Sequence, residues 1–119
     1  MPIVDISGLS VNISQDLFRV MGLAMKRAIA SIEELGITPD QVTVRFHKDM
    51  CEIYDVTEIL VDVTKLFVKK GRTTKVKNKV AEIVSKMMYS YFPTAKVEGF
   101  VSSFDQRKEG FHCIERKVL

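Results

Sequence analysis

Pro2 stands directly behind Met1. An initiator methionine is normally trimmed when a small residue follows, and Pro2 would then present a free pyrrolidine nitrogen, a secondary amine able to accept a proton. An α-amino group titrates at about 7.7–8.0. Burial and neighbouring cations favour its neutral form and lower that value, towards the range that suits a general base near neutral pH. With Met1 retained, the nitrogen is an amide without basicity. Proline heading a strand also has a purely structural reading, because that position asks for no hydrogen bond. A base acting on a small acid needs a cation for the carboxylate. Arg72 follows Gly71 and precedes Thr73 and Thr74, which sets it beside a helix start whose free N–H groups also attract anions. The other reading of Arg72 is a solvated arginine in a basic turn. Arg45 alternates with Thr43 and His47. A mid-strand arginine calls for a partner, either an acid across the sheet, which is the more ordinary case, or a substrate.

The remaining candidates are weaker. His47 and His112 lack an HxH or HExxH setting, so both read as structural or surface residues and no metal is expected. Tyr54 falls in a connecting stretch, where lining a pocket and simple exposure both stay open. Met87 and Met88 belong to an apolar stripe, which makes them core. There is no Gly-rich phosphate loop and no serine nucleophile motif, so no cofactor is expected.

The elements that must position these residues follow from periodicity. Residues 2–7 alternate, with Pro2, Val4 and Ile6 on one side, and predict a first strand. Ser14 is a helix cap, with Asp16 in the first turn and Leu17, Met21, Ala24, Ala28, Ile32 and Leu35 at helical spacing; Gly36 and Pro39 end that helix. Val42, Val44 and Phe46 alternate with Thr43, Arg45 and His47 in a second strand, and residues 48–57 read as a loop. Glu58 to Val68 is nearly continuous in apolar character, as for a strand buried on both faces. Gly71 breaks it. Thr73 or Thr74 caps a second helix with Val76, Val80, Ile83, Val84, Met87, Met88 and Tyr91 on one stripe, ended by Phe92-Pro93. A fourth strand runs over residues 97–104, and a short last one around Phe111 to Ile114 is possible. The order is β-α-β twice, a first unit over 1–50 and a second, with a C-terminal segment, over 51–119. Two such units pair into one four-stranded sheet with both helices on one face, since right-handed crossovers put them on the same side. The other face, carrying Val, Ile, Leu or Phe of the central strands, would be covered in a closed homo-oligomer.

Composition bounds the function classes. A chain of 119 residues with 46% hydrophobic content suits one domain with one core. Its apolar runs, such as Ile59-Leu60-Val61, are far shorter than the roughly 20 residues that span a bilayer, so no membrane association is expected. Asp5 follows Met1-Pro2-Ile3-Val4 with no basic stretch before it, which does not read as a signal peptide and suggests a cytoplasmic protein. Cys51 and Cys113 are the only cysteines, too few for a disulfide scaffold. The net charge of +3 hides an asymmetry: residues 1–62 hold ten acids and five bases, whereas residues 63–119 hold five acids and thirteen bases. An anionic substrate or partner fits the basic half.

Met1-Pro2-Ile3-Val4, the β-α-β-β-α-β order and Lys70-Gly71-Arg72-Thr73 opening the second helix resemble the tautomerase superfamily. In length and layout the chain looks most like its 5-carboxymethyl-2-hydroxymuconate isomerase family. The resemblance covers the layout of nearly the whole chain, through two short motifs. It implies an α+β fold, a homotrimer with sites at subunit interfaces, and an amino-terminal proline that moves a proton between carbon and oxygen of an enol or keto acid. It implies Pro2 as the base and Arg72 as the arginine that engages the substrate's carboxylate. A second family arginine aligns with Thr43, and Arg45 lies two residues later on the same face. The Gly-Arg-Ser that opens the first helix of the short 4-oxalocrotonate tautomerases is replaced by Ser7-Gly8-Leu9-Ser10, so substrate class does not carry over.

Two rival readings follow. A non-catalytic module could use the basic patch from Lys65 to Lys79 on an acidic partner or nucleic acid, although few aromatics interleave with those lysines, which disfavours base stacking and hence nucleic acid. Alternatively, the fold serves assembly alone.

Overall fold

The computed structural model describes residues 2–10, 12–48 and 58–117. Strand β1 (Ile3–Leu9) is followed by helix α1 (Gln15–Ala30), two 3₁₀ turns (Glu33–Leu35 and Pro39–Gln41) and strand β2 (Thr43–Lys48); strand β3 (Glu58–Phe67), helix α2 (Thr74–Tyr91) and strand β4 (Lys96–Phe104) complete the chain's regular elements. The predicted loop over residues 48–57, with Tyr54 and the boundary between the two units, lies largely outside the described residues.

The sheet order is β2-β1-β3-β4. Each β-α-β unit is parallel, β1 with β2 and β3 with β4, and the units meet through antiparallel β1 and β3. Val4 and Ile6 lie opposite Val63 and Val61, all four fully buried or within 1% of it. With Ile59 and Leu66 they form the floor on which both helices pack.

The helices start where capping chemistry allows. Ser14 and Thr73 each accept a hydrogen bond from the backbone N–H three residues on, Leu17 at 3.1 Å and Val76 at 3.3 Å, satisfying donors that a helix start otherwise leaves free. Along α2 the predicted stripe holds, with Val76, Val80, Val84 and Met88 buried. In α1 the buried set is Phe18, Met21, Met25 and Ile29, one residue round from the predicted Leu17, Ala24 and Ala28. Burying Phe, Met and Ile removes more apolar area from water than burying two alanines, and Phe18 meets Phe46 of β2 at 4.9 Å between centroids. The helix also stops at Ala30 rather than at Gly36. Ser31 caps it, and Ile32 and Leu35, though buried, sit in the turns beyond.

Three further expectations are corrected. β3 is buried on one face only, with Ile59, Val61 and Val63 inward and Glu58, Leu60 and Asp62 exposed. Its alternation is that of a sheet with one covered face; the valines and isoleucine go to the helices. Consequently the open face is mixed rather than aliphatic: Ile3, Leu60 and Phe100 stand among Asp5, Arg45, His47, Asp62, Lys96 and Glu98. Residues 111–114 form no strand, and residues 110–117 have no regular secondary structure and are exposed. No described helix is long and apolar enough to cross a membrane.

Candidate functional site

Pro2 is buried at the head of inner strand β1. Its carbonyl accepts a hydrogen bond from Thr43 N–H at 3.1 Å, while the next residue, Ile3, lies opposite Thr43 of β2 and Thr64 of β3. Pro2 therefore occupies one end of the sheet, between the start of β2 and the end of β3. The β1–β3 pairing ends at Ile3 and Thr64. Thr43 is thus beside Pro2, and Arg45 lies two residues, about 7 Å, further along β2.

Lys65 entered the sequence reading only as the first residue of the basic patch from Lys65 to Lys79. Val63 lies opposite Val101 and Leu66 opposite Ser103, so three steps along β3 match two along β4, and Thr64 and Lys65 together oppose a single residue. This is a β-bulge, a device that re-aims side chains. Lys65 has φ +60°, the only positive φ of a non-glycine residue among those described. Its Nζ lies 5.2 Å above the ring centroid of Phe104, within cation–π range. Phe104 belongs to a cluster with Phe67 at 5.9 Å, and Phe111 closes it at 5.0 Å from Phe67 and 6.5 Å from Phe104. A legible signal did exist: the inward residues Val61, Val63 and Leu66 are spaced two and then three apart, which marks an inserted residue in a period-two strand.

Arg72 is half-buried and follows a turn in which its own N–H bonds Lys69 O at 3.1 Å and Gly71 has φ +91°. Its Nη1 donates to Phe67 O and its Nη2 to Leu35 O, both at 2.8 Å. Burial lowers its pKa from the ordinary arginine value, a direction set by loss of hydration around the cation. The guanidinium thus ties the end of β3 to the turn after α1. Arg45 is exposed on the open face opposite Asp5, but Asp5 Oδ1 is 2.7 Å from His47 Nε2, and Arg45 has no ion pair among the described residues. The acid foreseen for Arg45 is held by His47 instead. The basic patch is divided: Lys65 sits over Phe104, Arg72 is bonded to carbonyls, and Lys79 reaches Glu34 at 3.6 Å. A groove of about 380 Å³ between α1 and β2, floored by Phe18, Gly22, Val44 and Phe46, contains none of the predicted site residues.

No protein-family model matches the chain, and no curated protein matches it in sequence. Solved structures do match it in shape. Pt0534, solved after inactivation by 2-oxo-3-pentynoate, superposes with a TM-score of 0.69 at 16% identity over 92% of this chain and 90% of its own. A member of the cis-3-chloroacrylic acid dehalogenase family gives 0.70 at 12% identity, over 92% and 80%. A fused 4-OT, a symmetric trimer, gives 0.67 at 13% identity, over 92% and 90%. The chain has a tautomerase-like fold. Within it the two halves repeat: Val4, Ile6, Gly8 and Leu9 of β1 match Val61, Val63, Lys65 and Leu66 of β3 in burial and register, apart from glycine in one half and lysine in the other. Both halves bulge there, since β1 shifts register against β2 between Ile6 and Leu9. Gly8 takes φ +91°.

Proposed function

We propose that the protein is a cofactor-independent tautomerase that moves a proton between carbon and oxygen of a small enol or keto carboxylate. Pro2, freed of Met1, is the general base. The observation that carries this reading is the setting of Pro2: buried, hydrogen-bonded through its carbonyl to Thr43, and at the end of a tautomerase-like sheet. A secondary amine in such a place is partly desolvated, an influence that favours its neutral, proton-accepting form. Thr43 and Arg45 line the β2 side of the substrate site. Arg72 holds the end of β3 and adds positive charge near it, so that an enolate oxygen develops its negative charge in a cationic setting. The working form is a homotrimer, as in the fused 4-OT structure, with the open sheet faces turned inward.

Intact mass spectrometry and a rate assay test this directly. The purified chain should lack the mass of Met1, and phenylenolpyruvate or a 2-hydroxymuconate should turn over. Pro2→Ala should lower kcat by about 10²- to 10⁴-fold, the usual worth of a positioned base. Retained Met1, or a variant as fast as the parent, overturns the mechanism.

A further inference from the structure

Gly22 lies inside helix α1, where glycine is less stable than alanine, and the fold gives no reason for it. Its φ is not positive, and a β-carbon there would meet only Phe46 Cε2, at 3.5 Å, an ordinary contact. A larger residue would strengthen the helix and fill the groove beside β2, so what glycine provides is the open space itself. A local rule broken without a packing reason points to a functional place. Gln15, Arg19, Leu23 and Lys26 line the groove along the same face of α1, over three turns or about 16 Å. Its floor is Phe18 with Val44 and Phe46 of β2. Those two strand residues alternate with Thr43, Arg45 and His47, so the groove is on the helix side of the sheet and stays outside an assembly that closes through the open face. Leu23 is 53% exposed. Lys26 is half-buried, yet its ammonium pairs with no acid among the described residues. Arg19, the other cation, is bonded to Asp16 at 3.1 Å, and the Asp40 carboxylate accepts the Thr38 hydroxyl; neither acid lines the groove.

We propose that this groove is a second binding site, separate from the Pro2 end of the sheet, and that it takes a medium-chain fatty carboxylate. The chain lies along α1 over Phe18, Gly22 and Phe46, and the carboxylate meets Lys26. The volume of about 380 Å³ falls in the range of small-ligand sites, about 300–1,000 Å³. A chain fits better than a ring, because the Phe18 and Phe46 rings are tilted 45° to each other and present no common plane for stacking. Covering Leu23 and the two rings takes apolar surface out of water, and the carboxylate gives Lys26 a charge-assisted hydrogen bond.

Decanoate is the probe, with decanol as its neutral control and octanoate as the shorter acid. In calorimetric titration the full chain should bind decanoate, and octanoate about fivefold more weakly, because each methylene taken from water adds affinity. Lys26→Met should weaken decanoate about tenfold or more, the range expected for a lost charge-assisted hydrogen bond. Lys26→Arg should stay close to the parent, and decanol should be indifferent to both. Gly22→Leu fills the groove and should abolish binding of acid and alcohol alike. The same variant should melt at the parent's temperature or above, because leucine is the better helix former; this separates loss of the site from loss of the fold. Pro2→Ala should bind decanoate like the parent. No binding by the parent, or decanoate binding unchanged in Gly22→Leu or in Lys26→Met, overturns the proposal. Loss of decanoate in Pro2→Ala would set the acid at the Pro2 end and overturns it too. So does a parent indifferent to decanoate whose oligomer dissociates in Gly22→Leu, which makes a second copy of the chain the occupant.

Discussion

Arg72 donates from one terminal nitrogen to Phe67 O and from the other to Leu35 O, 37 positions before it in sequence, so one planar group joins the end of β3 to the turn after α1. The family motif assigns this residue to a substrate carboxylate, the residues alone leave that open beside a solvated arginine in a basic turn, and the strut and ligand roles make different predictions. Arg72→Met leaves two main-chain carbonyls in a part-buried turn without donors, and an unpaired buried acceptor costs about 1–3 kcal/mol. We expect a loss of about 2 kcal/mol in chemical denaturation, with Arg72→Lys recovering only part, since a lysine ammonium does not reproduce the fork that spans both carbonyls. If Arg72→Met unfolds like the parent while KM rises steeply, the strut role is wrong and the guanidinium works on substrate alone. The motif around Arg72 was legible in the sequence. Its carbonyl partners were not, because Leu35 approaches only through tertiary folding.

At the scale of elements, the two β-α-β units and their caps were legible from period and capping residues alone. Ser14 and Thr73 both cap, and the α2 stripe is the predicted one. Where the reading slipped, side-chain size or a local insertion decided. Phe18, Met25 and Ile29 turned α1 by one residue to meet Phe46, and a bulge between Val63 and Leu66 broke the alternation of β3. Gly8 offers the complementary test of that bulge. A Cβ there would collide with the Glu58 carbonyl oxygen, and its φ is +91°. Gly8→Ala therefore combines a main-chain clash with backbone strain of order 1–3 kcal/mol, and the clash adds to it. A loss above about 2 kcal/mol is expected, with the melting temperature falling by roughly 8 °C or more. An unchanged melting curve would mean that the bulge relaxes freely.

For the whole molecule, the question is what covers the open sheet face. Asp5 stands directly opposite Asp62 there, a like-charge pair that destabilises a sheet by itself. His47 bonds Asp5, and Arg45 lies beside it in register, so the face carries its own counter-charges. Leu60 and Phe100 are 37% and 50% exposed in the isolated chain. Each is too small a patch to demand a partner, yet they lie on neighbouring strands of one face, among polar groups that can pair across an interface. If the homotrimer forms through this face, sedimentation equilibrium gives three times the 13.5 kDa chain mass. Phe100→Asp then buries an unpaired carboxylate at each contact, a loss that commonly exceeds 2 kcal/mol per site, and should yield a folded 13.5 kDa monomer. The same variant separates two accounts of the active site. Phe100 is on β4, opposite Asp62 rather than Pro2. A monomer that still turns over phenylenolpyruvate has a site complete within one chain. A monomer that neither binds nor turns over substrate has a site that needs its neighbour, which is what a homotrimer with sites at subunit boundaries requires. A variant that stays trimeric and fully active would move the interface to another surface.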